Sequence, residues 1–127
     1  FMRLLTRDFV DAWRDKLINI HPSLLPSFKG MHTHERVLEA GVRFTGCTVH
    51  YVRPEMDEGP IIIQAAVPVL PGDNKNDLAA RILKQEHVIY PLAVRLIAEG
   101  RVRVQKERVI IEDAGLSAPT STINPVP

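Results

Sequence analysis

Cysteine is nearly absent: Cys47 stands alone, so no internal disulfide can form. A lone cysteine is on base rates a buried apolar residue in a reducing compartment, and the cytoplasm is the expected location. An excess of either charge is also lacking. Lys and Arg number 16 against 15 Asp and Glu, for a formal net charge of +1, which leaves none of the basic field that a nucleic-acid binder uses to neutralise phosphates. Long apolar runs are missing too. The longest, around residues 60–70, is too short and too β-branched for a spanning helix, and no basic-then-apolar leader opens the chain. Nucleic acid, membrane and export are therefore not expected. Neither paired cysteines nor an H-E-x-x-H spacing occurs, and His32 and His34 diverge at the start of a predicted helix, so no metal is expected. Ser23 has no G-x-S-x-G elbow around it.

What is present suits one soluble globular domain: 127 residues, 45% apolar and 24% charged. Phe1-Met2 runs directly into what reads as the middle of an α/β unit, as if a piece were missing. Thr6 is placed to cap a short helix reaching about Asp15, with Phe9, Val10 and Trp13 on its apolar face. Residues 17–20 read as a buried strand that must stop early, because Pro22 and Pro26 cannot donate to a sheet ladder. A loop follows over residues 23–30. A second helix is expected over 32–40, with Gly41 at its C′ position. Residues 46–52 alternate, with Cys47, Val49 and Tyr51 on one face and Thr48, His50 and Val52 on the other. A loop with two prolines and a glycine leads to a strand over 61–70 that can pair back antiparallel. Asp73 or Asn74 caps a long helix to about Glu99, striped by Leu78, Ile82, Ile89, Ala93 and Leu96 and kinked at Pro91. Residues 101–111 read as a hairpin or edge strand, and 113–127 as a mobile tail.

Asn19 and His21 lie two apart on a strand, so both side chains leave one face where the proline-rich loop begins. Ligands bind at the ends of α/β strands, and an amide donor beside an imidazole suits catalysis there. A capping Asn and a His bonded to loop backbone fit the same spacing. Asp57 sits in a loop that returns beside that strand end if the later strands are neighbours; Asp57-Glu58-Gly59-Pro60 is equally an ordinary turn. Glu86 falls near the apolar stripe of the long helix, where a buried carboxylate would need a partner, or it flanks the core and reaches water.

The run Asn19-Ile20-His21-Pro22-Ser23-Leu24-Leu25-Pro26, followed by Phe28-Lys29-Gly30, resembles the signature of folate-dependent formyltransferases. Met31-His32-Thr33-His34, Cys47-Thr48-Val49-His50, Met56-Asp57-Glu58-Gly59-Pro60-Ile61 and Gln85-Glu86-His87 resemble the branch acting on glycinamide ribonucleotide (GAR), in order and spacing, across about residues 1–103. The resemblance implies an α/β fold: the C-terminal part of a formyltransferase-type Rossmann-like fold, a mixed sheet flanked by helices, with residues 1–112 forming the catalytic region. It implies that Asn19, His21 and Asp57 are catalytic, supported by Thr48 and His50. Met2, Arg3, Leu4 and Leu5 would form one wall of a folate pocket and Val52, Arg53, Pro54, Glu55, Met56 and Asp57 the other. Ile20 and Glu86 would meet GAR; at Leu83 the family often has a polar residue. The cosubstrate would be 10-formyltetrahydrofolate, with no metal and no permanently bound cofactor. A cis Leu25-Pro26 bond fits the family pattern. The family's glycine-rich phosphate loop and first parallel strands would precede Phe1, so a partner in the form of the chain's own amino-terminal segment is part of the expectation.

Two rivals stand beside this reading. A formyltetrahydrofolate hydrolase uses a similar trio but lets water attack; Pro22 stands where such hydrolases tend to carry a second histidine, which favours the transferase. A catalytically inert folding unit is the other. A methionyl-tRNA formyltransferase fits less well, because no basic domain follows.

Overall fold

The computed structural model describes residues 5–112 and 121–127. Its elements run α1 (Arg7–Ala12), β1 (Ile18–His21), α2 (Thr33–Ala40), β2 (Phe44–Tyr51), β3 (Ile61–Pro68), α3 (Lys75–Ala98), β4 (Val102–Gln105) and β5 (Arg108–Ile111). The class is α/β. The three longer-range strands form one sheet in the order β1-β2-β3, and β4-β5 is a separate hairpin. All pairings are antiparallel. The mixed sheet expected from the resemblance is thus represented among the described residues by its antiparallel strands alone.

Register decides which side chains meet. Asn19 pairs with His50, His21 with Thr48, and Thr48 in turn with Gln64; since opposed residues share a face, these five polar side chains project from one side of the sheet. Ile18, Ile20, Cys47, Val49, Tyr51, Ile63 and Ala65 take the other. Against that apolar face packs α3, which contributes Leu78, Ile82, Ile89 and Ala93 to one core cluster with Cys47, Val49 and Tyr51. Full burial of Leu78 or Ile82 is worth about 1.5–3 kcal/mol each. Asn74 caps α3 with a reciprocal box: its Oδ1 accepts from the Asp77 amide at 2.8 Å while Asp77 Oδ2 accepts from the Asn74 amide at 3.3 Å. The helix continues through Pro91 rather than ending there. No described helix is long and apolar enough to cross a membrane.

Several expectations shift in detail. Thr6 caps α1 by accepting from the Phe9 amide, but the helix ends at Ala12, before Asp15, and only Val10 is buried. Phe9 and Trp13 face outward with ring centroids 6.1 Å apart; an i,i+4 pair on so short a helix can pack on itself as well as on a core. His32 is the N-cap of α2, in a left-handed conformation, rather than its first residue. Of the tail expected to be mobile, residues 113–120 lie outside the described residues. Within 121–127 the Asn124 amide donates to the carbonyls of Arg43 and Val69 at 2.7 and 2.8 Å, tying the segment to the ends of β2 and β3.

Candidate functional site

Pro22 stops β1, and the chain crosses the polar face of the sheet as a tightly bonded loop containing a cis Leu25-Pro26 bond. Thr48 Oγ1 anchors it from below. This hydroxyl donates to the Ser23 carbonyl at 2.8 Å and accepts from the Leu25 amide at 3.2 Å and from Gln64 Nε2 at 3.0 Å. Gln64 also donates to the Leu25 carbonyl, and the Ser23 hydroxyl, fully buried, donates to the Ser27 carbonyl. The consequence lies at the end of the loop, where the Phe28 carbonyl stands 2.9 Å from His21 Nε2. A carbonyl only accepts, so Nε2 carries the proton and Nδ1 faces the other way.

Facing Nδ1 is Asp57. The loop 52–60 that carries it is pinched at its base by the Tyr51 amide donating to the Pro60 carbonyl and by the Val52 amide donating to Leu17. Gly59 makes the pinch possible, since a Cβ there would lie 1.6 Å from the Tyr51 carbonyl oxygen. Asp57 itself takes a left-handed conformation, φ +57°, which turns its carboxylate inward. Oδ2 accepts from the Gly30 amide at 2.8 Å and lies 3.5 Å from His21 Nδ1; Oδ1 is 4.0 Å from His50 Nε2. Both His21 and Asp57 are buried.

His50 is a different kind of histidine. Its Nδ1 donates to the Tyr51 carbonyl at 2.9 Å, and Nε2 has no hydrogen-bond partner among the described residues. Burial pushes its pKa down, against smaller upward pulls from the Tyr51 carbonyl and Asp57, with the nearby His21 adding to the depression. It is therefore a neutral, sealed ring between Asn19, its partner across the ladder, and Asp57.

Asn19 is half-buried, and among the described residues no hydrogen bond engages its amide. It lines a cleft of about 490 Å³ with Ile20, Leu83, Glu86, His87, Tyr90 and Pro91. Burial pushes the Glu86 carboxyl up, while His87 and His21 pull it down, so it belongs to the cleft wall rather than to open solvent. The structure brings His21 and Asp57 into contact and sets Asn19 beside them through His50. Asp57 borders a second cleft of about 410 Å³, with Leu25, Pro26, Lys29 and the β4-β5 turn.

The expected folate walls divide. Met2, Arg3 and Leu4 lie outside the described residues, and Leu5 is half-buried. In the loop 52–60, Val52 and Arg53 are buried, Pro54 is half-buried, and Glu55 and Met56 are exposed. Glu55 pairs with Arg7 at 2.9 Å. The Arg53 guanidinium is occupied by protein: Nε donates to Glu107, one terminal nitrogen to Asp15 and Glu107, and the other to the Val52 carbonyl. Thr48 pairs with His21 across the ladder and spends its hydroxyl on the Ser23 carbonyl, the Leu25 amide and Gln64 rather than on the side chains of the trio. Gln64 and Gly59 were not singled out from sequence. Gln64 did carry a signal, as the one polar residue in an otherwise apolar run from Ile61 to Val67; Gly59 carried none beyond its place in a turn.

The Cys47 thiol is buried and pushed up to about 11, by desolvation first and by Glu86 second, with a smaller opposing pull from the Ala65 backbone, so it is held as the thiol and is no nucleophile. Among the described residues no group of three or more His, Cys, Asp or Glu is placed to hold a metal. What the arrangement offers is an uncommitted amide donor, an imidazole whose inner nitrogen meets a carboxylate, and a cleft beside them walled by a second carboxyl.

The model for the formyl transferase family matches residues 1–94. A phosphoribosylglycinamide formyltransferase of Escherichia coli (strain K12) is 48% identical over 106 residues, 84% of this chain and 50% of that protein. The trifunctional purine biosynthetic protein adenosine-3 of Gallus gallus is 56% identical over 104 residues, 82% of this chain and 10% of that protein. The chain thus spans half the length of one and a tenth of the other. Among solved structures, the phosphoribosylglycinamide formyltransferase of Anaplasma phagocytophilum superposes with a TM-score of 0.84 at 50% identity, covering 88% of this chain and 55% of that one. A formyltetrahydrofolate deformylase from Pseudomonas syringae pv. tomato gives a TM-score of 0.80 at 32% identity, covering 84% and 36%.

Proposed function

The chain belongs to the formyl transferase family, and from that premise we propose that it serves the transfer of a formyl group from 10-formyltetrahydrofolate to the amine of GAR in purine synthesis. The observation that carries the reading is the buried contact of His21 Nδ1 with Asp57 Oδ2 at 3.5 Å, on the sheet face that also presents Asn19.

The GAR amine attacks the formyl carbon, and the carbonyl π electrons move to oxygen in a tetrahedral intermediate. That oxyanion needs donors. Asn19 Nδ2, without a hydrogen-bond partner among the described residues, supplies one. His21 Nε2–H supplies the other by exchanging the Phe28 carbonyl for the formyl oxygen, while Asp57 holds Nδ1–H and offsets the imidazolium charge. Collapse breaks the bond from carbon to N10 of the folate, and a proton passes from the attacking amine to that leaving nitrogen, relayed through water by the His21–Asp57 pair. No step requires a metal or a covalent enzyme intermediate. In this reading Ile20 and Glu86 line the GAR side, with Glu86 accepting from the ribose hydroxyls. Leu5 and the loop 52–60 line the folate side, together with Met2, Arg3 and Leu4. The unpaired, buried Cys47 supports a reducing, cytoplasmic setting.

Hydrolysis of formyltetrahydrofolate is the second reading, favoured by the likeness to a deformylase. Pro22, immediately after His21, speaks for the transferase. Supplying 10-formyltetrahydrofolate with and without GAR decides between them. Formyl-GAR formation supports transfer; formate release that is indifferent to GAR refutes it.

A further inference from the structure

We propose that Glu107, at the tip of the β4-β5 hairpin, is a positioning residue for the formyl-folate site, acting through the Arg53 guanidinium on the loop that carries Asp57. The assignment rests on the folate reading of that loop.

Arg53 is the second residue of the loop 52–60, and its side chain is only 5% exposed. A guanidinium so enclosed must be neutralised and hydrogen-bonded. Glu107 does this with both oxygens: Arg53 Nε donates to Oε2 at 2.9 Å and a terminal nitrogen to Oε1 at 3.2 Å. The same terminal nitrogen reaches Asp15 Oδ1 at 2.7 Å, and Arg14 also pairs with Glu107. Two arginines and two carboxylates therefore form a balanced cluster joining the α1-β1 corner, the start of the Asp57 loop and the hairpin tip.

The carboxylates sit on backbone that would not choose this shape unaided. Asp15, Lys106 and Glu107 all have left-handed φ values, at 60°, 53° and 59°, and none is glycine. The two-residue connection from Gln105 to Arg108 itself calls for left-handed φ at both Lys106 and Glu107, and the bonds to Arg53 hold the Glu107 carboxylate in place on it. In return the turn fixes the guanidinium, whose other end donates to the Val52 carbonyl at 3.1 Å. At this end the loop is otherwise held by backbone bonds, from the Val52 amide to the Leu17 carbonyl and from the Tyr51 amide to the Pro60 carbonyl. Asp57 is pinned over His21 by the Gly30 amide, so what depends on where Arg53 is held is the wall formed by residues 53–56 rather than the His21–Asp57 contact. Glu107 lies beyond residues 1–94, the stretch the family model matches, so the family signature alone would not find it.

The test is steady-state kinetics on Glu107→Ala, Glu107→Gln, Glu107→Asp, Arg53→Gln and the double variant Glu107→Ala/Arg53→Gln, with calorimetric binding of 5-formyltetrahydrofolate and thermal unfolding alongside. Glu107→Ala should raise KM for 10-formyltetrahydrofolate about tenfold with kcat within about twofold, and Glu107→Asp should recover most of the loss. Arg53→Gln should do the same, with the double variant no worse than the poorer single one, as expected of two residues acting as a unit. If Glu107→Ala does not fold, Glu107→Gln, which keeps the shape and removes the charge, carries the same comparison. A lower Tm with unchanged folate KM and affinity overturns the assignment and leaves formyl transfer standing, as do single effects that multiply in the double variant. A wild-type protein that binds no 5-formyltetrahydrofolate overturns the folate reading, and this assignment with it.

Discussion

Asp57→Asn separates chemistry from folding at this site more cleanly than any other substitution. The side chains of His21 and Asp57 are 8% and 5% exposed, so solvent screens their interaction little. Two unit charges 3.5 Å apart at an effective dielectric of ~20 attract by about 4–5 kcal/mol, a ceiling. Spreading of charge over the carboxylate and the ring reduces what the transition state feels to about 3–4 kcal/mol, or roughly 10²–10³ in kcat. The fold should scarcely notice. An asparagine can keep its oxygen on the Gly30 amide and turn its NH2 toward His50 Nε2, an unpartnered acceptor 4.0 Å from the present Oδ1. Asparagine also tolerates the left-handed backbone. We expect Tm to fall by no more than about 5 °C, folate binding to hold within about threefold and kcat to collapse, measured by single-turnover formyl transfer and calorimetry on one preparation. A variant that turns over within about threefold of wild type would refute the reasoning, because the carboxylate would then be an ordinary turn residue.

Asn19→Ala removes a donor that makes no side-chain hydrogen bond among the described residues, so kcat should drop about 10²–10³-fold with Tm unchanged, read by the same assay. Glu86→Gln should raise KM for GAR about tenfold. Because burial holds the Glu86 pKa above its usual value, its contribution to stability is present below the ordinary carboxylate range and is lost as pH rises through the elevated value. The variant's urea-unfolding profile should therefore be flatter than wild type as pH rises from the ordinary carboxylate range through that elevated value. Thr48→Val leaves the Ser23 carbonyl, the Leu25 amide and Gln64 Nε2 short of a partner and should cost about 2–3 kcal/mol in denaturant unfolding. Asp73→Asn breaks the forked bond to Arg81, at 2.7 and 2.9 Å, for a loss of about 1–2 kcal/mol. Arg81 holds the Asp73 pKa down, so the wild-type advantage should be full above the ordinary carboxylate range and fade as pH falls through the depressed value.

The core of this fold was legible because it obeys simple periods. Leu78, Ile82, Ile89, Ala93 and Leu96 recur at helical spacing and all are buried, and the alternation around Cys47, Val49 and Tyr51 correctly assigns the apolar face of β2. Periodicity failed at α1, where six residues make too short a helix for the pattern of Phe9, Val10 and Trp13 to decide which face turns inward. The site was legible to a similar depth. Asn19 and His21 share a face by strand geometry alone, and a return loop after an antiparallel partner brings Asp57 to the same end. Gln64, Gly59 and Glu107 act across the sheet or across the chain, through contacts such as the one from Arg53 to Glu107 that joins positions 54 apart. No local pattern encodes a pairing of that kind.

Two histidines border Asp57, yet the backbone makes them unequal. The Tyr51 carbonyl takes the Nδ1 proton of His50, and burial disfavours a second proton, so that ring offers the carboxylate only a lone pair. The Phe28 carbonyl takes the Nε2 proton of His21, which leaves Nδ1 as the nitrogen that can gain a proton against Asp57 Oδ2. The carboxylate is thereby committed to His21, the histidine that also borders an open cleft, and the Gly30 amide on the same oxygen fixes its direction. Exchanging the Phe28 carbonyl for a substrate oxygen would then pass charge from substrate to carboxylate through a single ring. This makes the loop 22–30, anchored by Thr48 and Gln64, as much a part of the candidate site as the side chains it faces.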